Sequence, residues 1–407
     1  MINWLTDYIG TGAYLKVTND SGDMGLVDVR NLVDKDGNTS EAINTKINES
    51  LDQLKKYGKV VVCCDYGMSR SNSIAAGVIA KYESIPFSQA VSLVQKKAPE
   101  EGIKLEVLNA VFRALNPNLS STGSNENRVL MTGGTGFIGS QLSGRLAKSL
   151  FVKALSGKDV DLIHNPVLLD LLVKENNITT LVHLANPRIY TVNIAMGDSL
   201  VMLKNVLEVC RLNKLKLIYV SSWEVYSGYK AEELLADEKL PLFPVGAYGE
   251  TKWMSEQLIE HYHKNYELPY VLLRSSPVYG EHSDKPKFIH NFIDRAKKNE
   301  PIATHKYLNG FPKLDLLYLD DFIGAAEKAV NFNGTGIFNI GSGKTVNTKA
   351  IAEQIARIFN STSTISSTEI NGYYPNIRID YSKAKNVLNW EPKGSFEDFL
   401  KKMQSQP

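Results

Sequence analysis

Hydrophobic and polar positions divide the chain into blocks. Lys59–Cys64 is an apolar, β-branched run of strand length, which predicts a buried strand. The loop Cys64-Asp-Tyr-Gly-Met-Ser-Arg-Ser71 follows, and Asn72–Lys81 then has the pattern of a helix. The same order recurs later: a short apolar strand from Arg128, a glycine-bearing turn, and a helical pattern over Ser140–Ala147. Leu217–Tyr226 reads as a buried strand running into hydroxyls. Between the two halves, Asn116–Asn127 is rich in Asn, Ser, Gly and Pro and has little to bury, so it reads as a linker. The expected division is a first domain over 1–115, a linker over 116–127 and a second domain over 128–407.

Composition narrows the class. A chain of 407 residues is long for one domain. With 43 % apolar and 22 % charged residues it can bury substantial cores. A formal net charge of +2, spread evenly over the two halves, gives no electrostatic case for nucleic acid or an anionic membrane. No apolar run reaches the ~18–20 residues that span a bilayer. Three cysteines, two of them adjacent, suit a reducing cytoplasm rather than a disulfide framework. The seven histidines have no metal-ligand spacing, and His261 and His263 read as solvated or capping residues of a helix.

The first candidate chemistry lies in the 64–71 loop. A turn between a strand end and a helix N-terminus gathers backbone N–H groups and the positive end of the helix dipole, which favours an anion. Cys64 opens that loop, where the field favours its thiolate. Arg70 can hold two phosphate oxygens, and Gly67 permits a tight turn. Cys, five residues, Arg and then Ser, in this setting, resemble a compact dual-specificity protein phosphatase over roughly Trp4–Leu115. The resemblance implies Cys64 as the nucleophile forming a phosphocysteine, Arg70 as the phosphate ligand and Ser71 as the group assisting thiolate departure. It also implies an upstream Asp as general acid, with Asp34 favoured over Asp28 and Asp36. Cys63 stands where that family usually has His, and packing is its expected role. The implied substrate is a phosphate monoester or phosphoprotein; the alternative is a non-catalytic phosphate sensor.

The second candidate chemistry begins at Val129–Gly139, where Gly133, Gly136 and Gly139 recur every third residue between a strand and a helix. Such glycines allow a tight turn, close approach to a pyrophosphate and close helix–strand packing. Tyr248 and Lys252 stand at i, i+4 on one helix face, where the ammonium favours the phenolate. Ser222 can hydrogen-bond the same substrate oxygen. Together with Leu181–Ala185, Leu273–Gly280, Leu316–Asp321 and Phe338–Gly343, these residues resemble the extended short-chain dehydrogenase/reductases of the nucleotide-sugar epimerase and dehydratase group.

That resemblance implies a Rossmann doubly wound parallel sheet with a small C-terminal substrate lobe, so the whole chain is expected to be α/β. It implies cofactor contacts from Gly133, Gly136, Phe137, Ile138, Gly139, Asp161, Ala185, Tyr248 and Lys252, and catalytic roles for Ser222, Glu224, Tyr248 and Lys252. Asp159 has the spacing of a ribose-binding acid. A reductase-like alignment instead puts Asp161 on the adenine, with Ser156 and Lys158 near the 2′ position, so the cofactor is NAD or NADP. Arg274 and Arg378 are either diphosphate contacts or ordinary surface ion pairs. Trp223 stands where sugar dehydratases carry a proton-donating Asp, which disfavours 4,6-dehydration. The resemblance also suggests a homodimer. The expectation is a cytoplasmic bifunctional enzyme: a cysteine phosphatase joined to a nucleotide-sugar epimerase acting through a 4-keto intermediate. An NADPH-dependent 4-keto-sugar reductase is the alternative for the second part.

Overall fold

The computed structural model describes residues 2–17, 22–35, 37–98, 103–117, 126–164, 166–187, 189, 192–281, 283 and 288–405. Asp36 and most of the expected linker lie outside them. The chain forms two compact units, one of residues 1–125 with 164–177, the other of residues 126–163 with 178–407.

The first unit is built on a four-stranded sheet. Its strands are β1 (Asn3–Trp4), β2 (Ile9–Ala13), β3 (Gly25–Asp28) and β4 (Val60–Cys64), in the order β1-β2-β4-β3. All five residues of β4 are buried, as its unbroken apolar run requires. Both β2 and β3 run parallel to β4, with Ala13 opposite Cys64 and Asp28 opposite Cys63. The segments that leave these three strands therefore emerge along one edge of the sheet.

Helices Ser40–Tyr57, Ser69–Glu83, Phe87–Lys97 and Leu105–Leu115 pack in the same unit. Ser69–Glu83 is the central one, and nearly every residue from Ser69 to Ala80 is buried. It begins three residues before the patterned stretch, so Arg70 and Ser71 belong to its first turn rather than to the loop. The reason is local: Gly67 turns the chain with φ +77°, and the helix can then start at once.

Helix Pro166–Glu175 also belongs to this unit, which departs from the expected division at residue 128. Its Val167 and Leu171 are buried in the core that holds Phe87, Val91 and Leu108. Glu175 accepts hydrogen bonds from Ser88 N–H at 3.0 Å and Ser88 Oγ at 2.7 Å. Lys174 donates to the buried Asp170 at 2.6 Å and also to Asn109.

In the second unit, six parallel strands form the main sheet: β5 (Arg128–Thr132), β6 (Phe151–Leu155), β7 (Thr180–His183), β8 (Lys216–Ser222), β9 (Tyr270–Ser275) and β10 (Gly336–Ile340). Their order is β10-β9-β8-β7-β5-β6. The chain moves outward from β5 to β6 and then returns to lay β7 on the other side of β5. That reversal opens a crevice at the carboxyl ends of β5 and β7, where ligands bind in open α/β sheets. The strand expected over Leu217–Tyr226 ends at Ser222, and Trp223–Tyr226 forms one 3₁₀ turn whose first N–H groups include a donor to Ser222 Oγ. A smaller lobe forms from short strand pairs and helices Phe288–Lys297, Thr348–Ile358 and Phe396–Ser405, around Ile289, Phe292, Ile351, Ile355 and Phe399. Among the described residues no helix is long and apolar enough to cross a membrane.

Candidate functional site

In the first unit Cys64 ends the central strand and is buried at the base of the loop. Gly67 N–H donates to its Sγ at 3.2 Å, and the Ser71 hydroxyl lies 3.4 Å from the same sulfur. Burial alone would raise this thiol. The Ser71 hydroxyl and the backbone N–H groups of Ser71, Gly67 and Met68 outweigh burial and hold it below its ordinary value. A Cβ on Gly67 would fall 2.5 Å from the Gly12 carbonyl carbon, so glycine is required there by both space and φ.

Cys63 points to the other face of β4. Its thiol donates to the Val27 carbonyl at 3.4 Å, and burial pushes it up to about 12. Packing is thus the role its surroundings give it.

Arg70 donates to the carbonyl oxygens of Arg30 and Leu32 and to the carboxylate of Asp65. These bonds draw the 30–34 segment to the start of the Ser69–Glu83 helix. Asp34 forms an ion pair with Lys104 at 2.8 Å. Burial works against its ionisation, but Lys104, Ser69 and the charge of Arg70 prevail and hold its carboxyl below the ordinary range. As placed, Asp34 is an acceptor rather than a proton donor. Asp28 is paired with Arg30 at 2.7 Å, whose hydrogen bonds are the main reason its carboxyl is also held low.

The second unit carries the glycine cradle. Gly133 has φ +69°, and a Cβ there would meet the Ala185 nitrogen at 2.7 Å. A Cβ on Gly139 would drive into the Gly133 carbonyl oxygen, whereas one on Gly136 would meet only that oxygen, at 3.4 Å. Gly139 thus serves the packing of the turn, and Gly136 leaves backbone open at the N-terminus of helix Phe137–Leu146. Phe137 and Ile138 anchor that helix end against the core.

A cavity of about 480 Å³ opens over the cradle, lined by Gly133, Gly136, Ser156, Gly157, Asp161 and Ala185 among others. This shape and backbone fit a dinucleotide with its pyrophosphate at the helix N-terminus. Asp159 does not take the ribose position its spacing suggested. It accepts from Ser156 N–H at 2.7 Å and Ser156 Oγ at 2.6 Å, closing the turn after β6. Asp161 is the acid that lines the cavity, and it also accepts from Ile163 N–H at 2.9 Å.

A second cavity, of about 540 Å³, is lined by Ile138, Ser222, Trp223, Glu224, Tyr248 and Tyr374 among others. Three of the expected catalytic positions, Ser222, Glu224 and Tyr248, meet on its wall. Lys252 is buried one turn beyond Tyr248, its Nζ 5.5 Å from the centre of the Tyr248 ring. It donates to the Val220 carbonyl at 2.9 Å and the Tyr219 hydroxyl at 3.2 Å. Burial opposes its charge, but Tyr219, Tyr248 and Glu256 outweigh burial and hold it above its ordinary value. Glu224 is raised by burial, partly offset by Lys252. A Cβ on Gly249 would fall 2.7 Å from the Glu224 carbonyl oxygen, so glycine after Tyr248 lets the helix approach this wall closely.

Several supporting residues were not foreseen. His183 is fully buried, hydrogen-bonded through Nδ1 to Thr132 Oγ1 at 2.7 Å and stacked on Tyr219. Burial, with Lys252 as a second cause, pushes it down to about 3, so the ring is neutral. Glu256 accepts from Arg274 through both oxygens, 2.7 Å at the shortest, and Ser221 Oγ donates to it at 2.5 Å. Arg274 is therefore neither a diphosphate contact nor a surface pair but part of a buried network behind the site. The spacing Tyr248, Lys252, Glu256 at successive i+4 positions was a readable signal for one of these. Arg378 forms an ion pair with Glu233 at 3.3 Å. His263 bonds the Leu268 carbonyl, just past the end of its helix, at 3.0 Å.

Fold and cradle together define a dinucleotide-binding protein of the doubly wound α/β class. The model of the NAD dependent epimerase/dehydratase family matches residues 129–341, more than half of the chain. The chain belongs to that family, whose cofactor is NAD. Among curated relatives, dTDP-D-glucose 4,6-dehydratase of Mus musculus is 31 % identical over 195 residues, 46 % of this chain and 54 % of its own. UDP-glucuronic acid decarboxylase 3 of Arabidopsis thaliana is 26 % identical over 302 residues, 68 % of this chain and 88 % of its own. The chain thus spans about half the length of the mouse relative and most of the plant one. UDP-glucose 4-epimerase of Thermus thermophilus, solved with NAD, superimposes with a TM-score of 0.61 at 24 % identity, over 67 % of this chain and 96 % of its own. At that identity the likeness speaks for the fold.

Proposed function

We propose that the second unit epimerises a nucleotide-sugar through a 4-keto intermediate, and that the carrying observation is the meeting of Ser222, Glu224 and Tyr248 on one cavity, with the buried Lys252 beside the Tyr248 ring. Gly133 and Gly136 would hold the pyrophosphate of NAD at the helix N-terminus, with Gly139 packing the turn, and Asp161 and Ala185 line the same cavity. When bound, NAD supplies the hydride acceptor and donor that such a reaction needs. Tyr248 takes the proton of the sugar hydroxyl. The buried charge of Lys252 favours negative charge on the phenol oxygen as it does so. Ser222 orients the same sugar oxygen. Glu224, whose carboxyl burial raises above the ordinary range, stands on the same wall as a candidate acid/base. Trp223 lines this wall, and its indole N–H is too weak an acid to protonate a leaving hydroxyl, which supports epimerisation over loss of water.

For the first unit we propose hydrolysis of phosphate monoesters through a phosphocysteine on Cys64. The support is the hydrogen-bonded Cys64 thiol, held below its ordinary value in the loop that leads into the helix whose first turn carries Arg70. Attack by the Cys64 sulfur on phosphorus expels the alcohol, and water then cleaves the S–P bond to give phosphate and free thiol. One observation favours a second reading, a phosphate-binding sensor: of the described general-acid candidates, Asp28 and Asp34 are both ion-paired and held low, so neither stands ready as a proton donor. Hydrolysis of p-nitrophenyl phosphate by the wild type, and its loss in Cys64→Ser, decides between them. Turnover lost in both chains favours the sensor.

A further inference from the structure

A guanidinium has five N–H donors in a planar fork. On Arg70, three are taken by the protein. Nη1 donates to the carbonyl oxygens of Arg30 at 3.0 Å and Leu32 at 2.9 Å, and Nη2 donates to Oδ2 of Asp65 at 2.5 Å. Among the described residues, Nε–H and the second Nη2–H have no partner. A parallel pair of this kind matches two oxygens of a tetrahedral oxyanion.

We propose that Asp65 is a positioning residue: with the two carbonyls it fixes the guanidinium plane of Arg70 and leaves the Nε–Nη2 edge for an oxyanion. The inference rests on the phosphate-site reading of the Cys64 loop. Asp65 follows Cys64 directly, so the loop that carries the thiol also delivers the anchor for the arginine. The form of the contact argues against a competitor role. A carboxylate standing in for phosphate would take both fork donors with both oxygens, whereas Asp65 uses one oxygen on one nitrogen. Exposure agrees with an anchor: the Arg70 side chain is 12 % exposed and that of Asp65 50 %. The ordered partner is the arginine.

The test uses the full chain, with orthovanadate binding by calorimetry and p-nitrophenyl phosphate hydrolysis as readouts. Asp65→Ala is expected to weaken vanadate binding and raise KM by about tenfold, with kcat changed much less. Asp65→Asn, which keeps the acceptor oxygen and loses the charge, is expected to fall between it and wild type. The melting temperature should not move, because the carboxylate is half exposed. Equal or tighter vanadate binding by Asp65→Ala overturns the proposal and assigns Asp65 a competing role. Arg70→Lys separates the two levels of the argument. If it binds vanadate as wild type does, the phosphate-site reading fails. If Arg70→Lys weakens binding and Asp65→Ala does not, only the positioning role fails.

Discussion

Lys252 Nζ stands 5.5 Å from the centre of the Tyr248 ring, one helical turn along, and is held there by the Val220 carbonyl at 2.9 Å. The ammonium has no alternative position in solvent, because it is buried. Tyr248→Phe is therefore expected to lower turnover by about 10²–10⁴, the usual contribution of a general base, while NAD binding measured by fluorescence titration persists. Loss of turnover together with loss of NAD would place Tyr248 in the cofactor site instead.

The cradle glycines should separate packing from binding. Gly136→Ala meets only one atom, at 3.4 Å, so the chain should fold and melt as wild type but bind NAD at least about tenfold more weakly. Gly139→Ala collides with the Gly133 carbonyl and should lower the melting temperature even without cofactor. Equal melting of the two variants would contradict this division.

Cys64 should be the thiol that reacts first. Its pKa is lowered, while burial pushes Cys63 up to about 12 and raises Cys210 as well. Alkylation by iodoacetamide should follow a single titration with a midpoint below the ordinary thiol value near 9 and should vanish in Cys64→Ser. Mass spectrometry identifies the site, and early labelling of Cys63 would refute the assignment.

Much of this was legible in the sequence and some was not, for physical reasons. The β4 strand and the glycine cradle are local patterns, so their residues alone specify them. The destination of helix Pro166–Glu175 is different: Val167 and Leu171 announce an apolar face but not which core it enters. Arg274 was ambiguous because its partner Glu256 is 18 residues away on another element. Asp159 and Asp161 differ by two positions, and only the turn closed by Ser156 tells them apart. Tyr374 reaches the catalytic cavity from a distant segment that no local motif marks.

Leu171→Ala should cost about 2–5 kcal/mol, because the side chain is fully buried in the first unit. Hydrogen exchange in the Val60–Cys64 strand should speed up accordingly. Unchanged exchange there would detach the helix from that core.

His183 gives a pH dependence with a definite sign. Its native pKa, about 3, lies below the ordinary value of 6.5, so the unfolded chain binds the extra proton between those limits. Stability is expected to fall as pH drops from about 6.5 toward 3, and His183→Gln should flatten that slope by up to one proton. Urea unfolding across this range measures it, and an identical slope in the variant would contradict a buried neutral ring.

The central claim is epimerisation at the Tyr248 site with retained cofactor, and proton NMR of UDP- and dTDP-hexoses incubated with the purified chain tests it most directly. Inversion at C4 without added cofactor, abolished by Tyr248→Phe, is the predicted result. Conversion that instead consumes one added NADPH per keto-sugar, or that survives Tyr248→Phe, would contradict it.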